Sequence, residues 1–271
     1  MAYMEKTILG IKSELEANTP VSANYLTNVT LNTKYGVYPT LLPTKAPVIK
    51  YIGIGINGSE NVDGNNLTDA RKPKMENLDL YQPIPFRCVP LANDLTAVER
   101  QLYRLRVVKK IGGIDYVLYY LRVMTVIDEF VQITRTDPVT KQQVPFTIDP
   151  SNLYPTPPDS STDGIVGTDT GEINVTTSHM ITITGSEVLE AINVLYGGDV
   201  RRAKVTEFGL YYGEDRTVKG TPVTGAQFDY TEVVLAHLGF HYCFNGMDFS
   251  NPSTVLTKNI RLGKGDVALL G

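Results

Sequence analysis

Residues 185–213, GSEVLEAINVLYGGDVRRAKVTEFGLYYG, constrain the fold more than any other stretch, because they read as a capped helix running straight into a β-strand. Ser186 is expected at the N-cap, with Glu187 in the first turn where the helix dipole favours a negative charge. Val188, Ile192 and Leu195 recur at helical spacing, and Gly197 is placed to end the helix as a left-handed residue. The chain then alternates. Val205, Glu207, Gly209 and Tyr211 fall on one face, and Thr206, Phe208, Leu210 and Tyr212 on the other. The polar groups of this unit form no recognisable reaction centre.

The same strand grammar runs along most of the chain. Residues 47–58, PVIKYIGIGING, read as a buried strand ending at Asn57-Gly58. Arg104–Lys110 and Tyr116–Val126 flank Gly112-Gly113 as a long hairpin, apolar on both faces and so expected to be covered on both. Strand character continues through Phe130, Gln132 and Thr134. SHMITIT, Gln227–Val234, His237–Phe244, Val255–Leu262 and Val267–Leu270 add further strands, the last two joined by a turn at Gly263-Lys264-Gly265. Pro83, Pro85 and Pro90 exclude a central strand or a helix over 78–98 and leave an extended edge. Residues 4–17 read as a short helix striped by Ile8, Ile11 and Leu15, and 21–46 as a polar extended arm. Residues 149–171, rich in Pro, Ser, Thr, Asp and Gly, read as a long loop. The expected fold is mainly β: an antiparallel β-sandwich with a long hairpin and one or two short helices. Its expected division is an N-terminal helix and arm over 1–46 and a mainly-β region over 47–271.

At 271 residues the chain buries roughly 75% of its extended surface if it folds as one body, and needs no metal or disulfide to do so. With 25 basic and 29 acidic residues there is no positive field for a nucleic acid. The tightest basic cluster, Arg201, Arg202 and Lys204, is opposed by Asp199 and Glu207 and reads as a solvated strand entry. No apolar run reaches the ~18 residues of a membrane span. The opening MAYMEKTILGIKSELEA, broken by Lys6, Lys12 and three glutamates, has no apolar run of signal-peptide length, so no signal sequence is expected in it. A cytosol-made protein is expected, with Cys88 and Cys243 as reduced, buried thiols, although spacing alone leaves a disulfide open. Sixteen tyrosines and no tryptophan suit half-buried strands and interfaces.

Several constellations invite chemistry and fail their context. Gly53, Gly55 and Gly58 spell GxGxxG, but the polar SENVDGNNLTDARKPKMEN after them carries no apolar helical stripe, so close backbone approach is expected in place of a nucleotide site. His237, His241 and Cys243 have zinc-type donors, yet on a strand the two histidines stand about 13 Å apart. Those two and His179 are therefore expected to be structural. Asp128 with Glu129 and Glu214 with Asp215 read as solvated strand ends and turns, and Cys88 has no local base to activate it. The stretch 61–66, NVDGNN, offers oxygen donors for a weak surface cation but lacks the closing glutamate of an EF-hand. No catalytic, cofactor-binding or metal-ligating residue is assigned, and no cofactor is expected.

Four segments carry a family resemblance: YIGIGING (51–58), LDLYQPIPFRCVPLANDLTAVERQLYRLR (78–106), TGSEVLEAINVLYGGDVRRAKVTEFGLYYGEDR (184–216), and HYCFNG (241–246) with RLGKGD (261–266). They resemble structural proteins of contractile-tailed bacteriophage virions, of the neck, collar or baseplate. The stretch VTEFGLYYGEDR is also similar to a strand pattern of small β-sandwiches in tail-fibre and collar-associated domains. The resemblance implies a non-enzymatic virion component, made in the host cytoplasm, that oligomerises at the neck or collar. Its partners would be copies of itself and other virion proteins, with no nucleic acid and no membrane. The alternative it leaves is a receptor- or carbohydrate-binding module on a baseplate or fibre.

Overall fold

The computed structural model describes residues 2–17, 26–61, 68–137, 139–147, 150–154, 169–220 and 227–270. In chain order the elements are β1 (Ala2–Lys6), α1 (Ile8–Ala17), α2 (Leu31–Tyr35), β2 (Val48–Gly55), β3 (Ser59–Asn61), β4 (Thr68–Ala70), β5 (Pro83–Ile84), β6 (Arg87–Pro90) and α3 (Ala97–Arg100). There follow β7 (Tyr103–Ile111), β8 (Ile114–Val123), β9 (Thr125–Thr136), β10 (Gln143–Pro145), β11 (Asp169–Thr184), α4 (Gly185–Tyr196), β12 (Lys204–Gly220), β13 (Phe228–Asp248) and β14 (Val255–Leu270). The protein is mainly β, and the strand pairs are antiparallel. Four short α-helices lie among the described residues, two of them only about a turn long.

The chain divides into two compact units, residues 1–124 with 182–257 and residues 125–181 with 258–271. Described residues 2–17 and 26–46 fall in the larger of these units. In the larger unit the sheet runs β1-β13-β12-β2-β8-β6, with β5 on β2 and β7 on β8. It curls like half a barrel, in keeping with a β-sandwich-like fold. Tyr51, Leu105, Leu121, Tyr211 and Leu238 pack with Leu31 and Val37 into its core.

The hairpin β7–β8 turns at Gly112 (φ 56°) and Gly113 (φ 86°), the left-handed pair that a tight two-residue turn demands. Val117, Leu118 and Tyr119 are buried in succession, so mid-hairpin both faces are covered, while Val108 and Ile114 near the tip are exposed. Pro83 and Pro90 sit in the short strands β5 and β6, and β6 lies at the sheet edge. The helix α4 ends at Gly197 (φ 62°) as its sequence requires. Its N-cap, however, is Thr184 and not Ser186: the Thr184 hydroxyl accepts from the Glu187 N–H and the Glu187 carboxylate accepts from Thr184, a capping box.

Other elements depart from expectation for tertiary reasons. The helix expected over 4–17 loses its first residues, because 2–6 pair with β13, Ala2 opposite Phe244 and Lys6 opposite Phe240. The helix starts after Thr7, whose hydroxyl accepts from the Gly10 N–H at 3.1 Å. It buries Leu9, Gly10 and Ser13 and exposes Ile8 and Leu15, because Gly10 meets the backbone of Gly239, where any Cβ would stand 2.4 Å from the carbonyl oxygen. Within the expected extended arm, 31–35 is helical, capped by Thr30 and ended by Gly36 (φ 68°). The two strands expected over 227–244 are one, β13, whose interruption is a bulge at Leu235 (φ 52°). β14 likewise runs through 263–265 without turning. Gly263 is there because a Cβ would stand 2.2 Å from the Thr176 side chain. Most of the 149–171 loop lies outside the described residues.

Tyrosine hydroxyls are the core's polar pins. Tyr51 donates to Asp215 at 2.9 Å, Tyr103 to Glu187 at 2.8 Å, Tyr119 to Asp94 at 2.7 Å and Tyr211 to Asp79 at 2.6 Å. Burial, reinforced by the carboxylate in each case, raises all four phenols, Tyr103 to about 12. Tyr51, Tyr103, Tyr119, Tyr211 and Tyr212 are buried, where an apolar body needs one satisfied tip, while most of the other described tyrosines are half-buried.

Candidate functional site

A buried polar node sits where β12 and β13 pair. Glu207 lies opposite Cys243 and Gly209 opposite His241, which places Glu207, His241 and Cys243 on one face of the sheet. All three are fully buried. His241 Nε2 stands 2.8 Å from Glu207 Oε2 and 3.4 Å from Cys243 Sγ, and these donor atoms of the three residues lie within 4.8 Å of one another. The His241 Nδ1 faces the Asn77 amide at 2.9 Å, and the Tyr81 ring tilts over the imidazole with centroids 4.9 Å apart. Backbone N–H groups complete the carboxylate: Tyr81 donates to Oε2 at 3.0 Å, Gln82 to Oε1 at 2.9 Å and Asn57 to Oε1 at 3.3 Å. Burial, with Glu207 beside it, pushes the Cys243 thiol up to about 12.

The glycines of the GxGxxG stretch make this node possible. A Cβ on Gly55 would stand 2.5 Å from Glu207 Oε1, and one on Gly58 would stand 2.4 Å from the Thr206 carbonyl oxygen. A strand, β3, follows them and no helix, so they serve close approach, as their context implied. The stretch 61–66, weighed above for a weak surface cation, falls almost wholly outside the described residues.

The metal trio weighed from sequence is not the one that converges. His237 lies apart, its Nε2 2.7 Å from the Ser13 hydroxyl, its Nδ1 2.8 Å from the Leu235 carbonyl and its ring stacked on Tyr212. Glu207 takes its place beside His241 and Cys243. Sequence missed it because only the pairing register of β12 with β13 brings it there. The signal available was Glu207 as the one charged residue in an otherwise apolar alternation. His179 is buried in the smaller unit, its Nε2 3.0 Å from the Thr177 hydroxyl. Cys88 and Cys243 are both free and buried. Burial, with Glu190 nearby, raises the Cys88 thiol to about 12.

The carboxylate pairs do not sit at turns or strand ends. Glu214 and Asp215 lie inside β12, where Glu214 accepts from the Thr44 hydroxyl at 2.6 Å and Asp215 meets Arg104 at 2.6 Å and Lys50 at 2.6 Å. Burial pulls the Asp215 carboxyl upward, but the Arg104 and Lys50 hydrogen bonds outweigh it and hold it below the ordinary carboxylate value. Asp128 and Glu129 lie exposed within β9. Arg201 and Arg202 pair with Asp199 in an exposed turn before β12.

The smaller unit presents a different candidate, an interface. Its sheet runs β10-β9-β11-β14, and Ile181 is the one buried apolar side chain among its described residues. Val131 faces Val175 across β9 and β11, and Ile133 faces Ile173 on the same side, giving a two-by-two aliphatic block. Val131 is 68% exposed, Val175 48% and Ile173 37%. The edge strands differ. β10 has three residues ending in Pro145, whereas β14 has sixteen and pairs only with β11 among the described residues.

Neither a curated protein nor a solved structure matches this chain. A family model described as a family of unknown function (DUF7208) matches residues 2–271, and the chain belongs to that family.

Proposed function

We propose that this chain is a non-enzymatic structural subunit of a tailed-phage virion, working as one of several copies at the neck or collar. The observation that carries the assembly part is the sheet of the smaller unit. A four-stranded sheet gains its stability by burying an apolar face against a second layer. Here, among the described residues, the aliphatic block on β9 and β11 stays open, and a long edge strand, β14, lies beside it. An open aliphatic face and a free edge are the two features that soluble monomers avoid, and that a neighbouring copy supplies with a partner. The virion location rests on the sequence resemblance of residues 51–58, 78–106, 184–216, 241–246 and 261–266.

The alternative, receptor or carbohydrate binding on a baseplate or fibre, draws on an open cleft of about 460 Å³ lined by Tyr3, Glu60, Asp69, Arg71, Lys72 and Tyr81. Both tyrosine rings there already have a partner, Tyr3 beneath Lys72 and Tyr81 against His241, which leaves less aromatic face for a sugar. The assembly reading is therefore preferred. The test is electron microscopy of purified particles with a gold-labelled tag on this chain. Label at the head-proximal end of the tail is the expected result. Label at the tail tip would favour the alternative, and particles without the chain would end both.

A further inference from the structure

We propose that Glu207, His241 and Cys243 form a buried binding site for one divalent transition-metal ion of the zinc class. The placement follows from strand geometry. Two residues at i and i+2 on one strand share a face, and a cross-strand partner stands about 4.5–5.5 Å away at Cβ. His241 and Cys243 are such a pair, and Glu207 is the cross-strand partner of Cys243. An imidazole, a thiol and a carboxylate thus aim at one point from two neighbouring strands.

The two separations from His241 Nε2 fit an ion with small adjustment, and the third, from Cys243 Sγ to the Glu207 oxygen, lies within 4.8 Å. Bonds of about 2.0–2.1 Å to nitrogen and oxygen and 2.3 Å to sulfur at tetrahedral angles put N and S about 3.6 Å apart, and N and O about 3.3 Å apart. His241 Nε2 and Cys243 Sγ are already at 3.4 Å, and the Glu207 oxygen, at 2.8 Å, moves out by about half an ångström. Without an ion, one imidazole hydrogen faces two acceptors. It serves the carboxylate and leaves the sulfur opposite an occupied nitrogen.

Charge and surroundings agree. A thiolate and a carboxylate together neutralise a dication, so the fully buried cluster carries no net charge, the condition under which buried ions are tolerated. The outer contacts are those that orient metal ligands. Glu207 Oε1 is held by the Gln82 and Asn57 N–H groups, and His241 Nδ1 meets Asn77. With the ion on Nε2, the ring hydrogen moves to Nδ1 and the Asn77 amide turns its oxygen toward it. The thiol gives up its proton to solvent as the sulfur–metal bond forms, so one proton is released per ion bound. Mixed N, O and S donors select zinc or cobalt over magnesium or calcium. Three protein donors leave the fourth position to a water or to the second carboxylate oxygen.

The test uses the full chain, stripped of metal under denaturing conditions and refolded with cobalt(II). The expected result is one cobalt per chain and a thiolate-to-cobalt charge-transfer band that persists in Cys88→Ser and disappears in Cys243→Ser. A folded wild-type protein that retains no cobalt, or a band that survives Cys243→Ser, overturns the proposal. Because Cys243→Ser is a core change, X-ray absorption of the zinc-loaded wild type gives a second reading. One sulfur neighbour at about 2.3 Å with nitrogen and oxygen neighbours at about 2.0 Å supports the site, and no sulfur neighbour sinks it. Neither result depends on whether the chain assembles.

Discussion

Replacing Val131 with lysine is the sharpest probe of the open sheet. Val131 is 68% exposed, and its cross-strand partner Val175 and diagonal neighbour Ile173 are 48% and 37% exposed. Fully burying an aliphatic side chain is worth about 1.5–3 kcal/mol, so covering the still-exposed parts of these three contributes roughly 3 kcal/mol per copy on association. A lysine at 131 forfeits the largest share, about 1–2 kcal/mol, and must also keep its ammonium hydrated at the centre of the contact. The combined loss of about 3 kcal/mol weakens association by roughly 100-fold. Sedimentation velocity over a dilution series reads this directly, with circular dichroism to check that the strands persist. Val139→Lys is the control, since Val139 is 87% exposed in a turn after β9, outside the aliphatic block, and its replacement leaves association unchanged. A wild-type chain that stays monomeric at tens of micromolar, or a Val131→Lys variant that associates as the wild type does, would refute the reasoning.

Three further outcomes follow from the larger unit. Thr184→Ala costs about 1 kcal/mol in urea unfolding by removing the cap of α4, whereas Ser186→Ala stays within about 0.5 kcal/mol; equal costs would return the cap to Ser186. Gly58→Ala drives a methyl against the Thr206 carbonyl and costs about 1–3 kcal/mol or more, while Gly112→Asn, in open space at φ 56°, is near neutral; a silent Gly58→Ala would contradict the close approach of the turn after β2 to β12. Burial holds His237 below the ordinary imidazole value, against the hydrogen bond to the Leu235 carbonyl, with Lys12 adding to the burial effect and Glu16 opposing it. The unfolded chain therefore takes up the proton first: this contribution is complete above about pH 6.5 and declines as pH falls below it. His237→Gln flattens the fall in urea midpoint between pH 7.5 and 5, and an unchanged slope would remove His237 as its source.

What the sequence disclosed was local, and what it hid was pairing. Gly112-Gly113 fixed the hairpin and Gly197 the end of α4, because left-handed backbone is a one-residue requirement that glycine advertises. The same residue misleads when it serves close approach. Gly263 looks like a turn and lies in a continuous strand against Thr176. Leu235 marks a real irregularity, yet a bulge within β13 and a break between strands leave the same trace in an alternation pattern. Residues 4–6 read as the start of the helix over 4–17, but the edge of β13 offers them a ladder, which is worth more than extending a marginal helix in water. Glu207 was legible as an odd charge, but its meeting with His241, 34 residues on, and with Cys243 depends on the register of two strands, which no local pattern encodes.

The two units meet the cost of order in opposite ways. In the larger one, carboxylates that would be costly to bury alone are each tied to several donors: Asp215 to Arg104, Lys50 and Tyr51, and Glu232 to the N–H groups of Leu105, Arg106 and Val233. Burial raises the Glu232 carboxyl even against those three backbone bonds, so its position is strongly disfavoured in any register that withdraws them. Such pins make one strand pairing far better than its neighbours. A one-residue slip of β7, β12 or β13 would strand an ionised group in the core. The smaller unit has no comparable lock among its described residues. Its β9–β11 pairing is set by alternation and a single bulge at Ser178/His179, over a face that nothing in the chain's own described residues closes. A sheet of that kind is stable in proportion to what covers it. If copies of this chain assemble as proposed, it is the unit whose order would depend on concentration and on a partner, with the larger unit folded before the partner arrives.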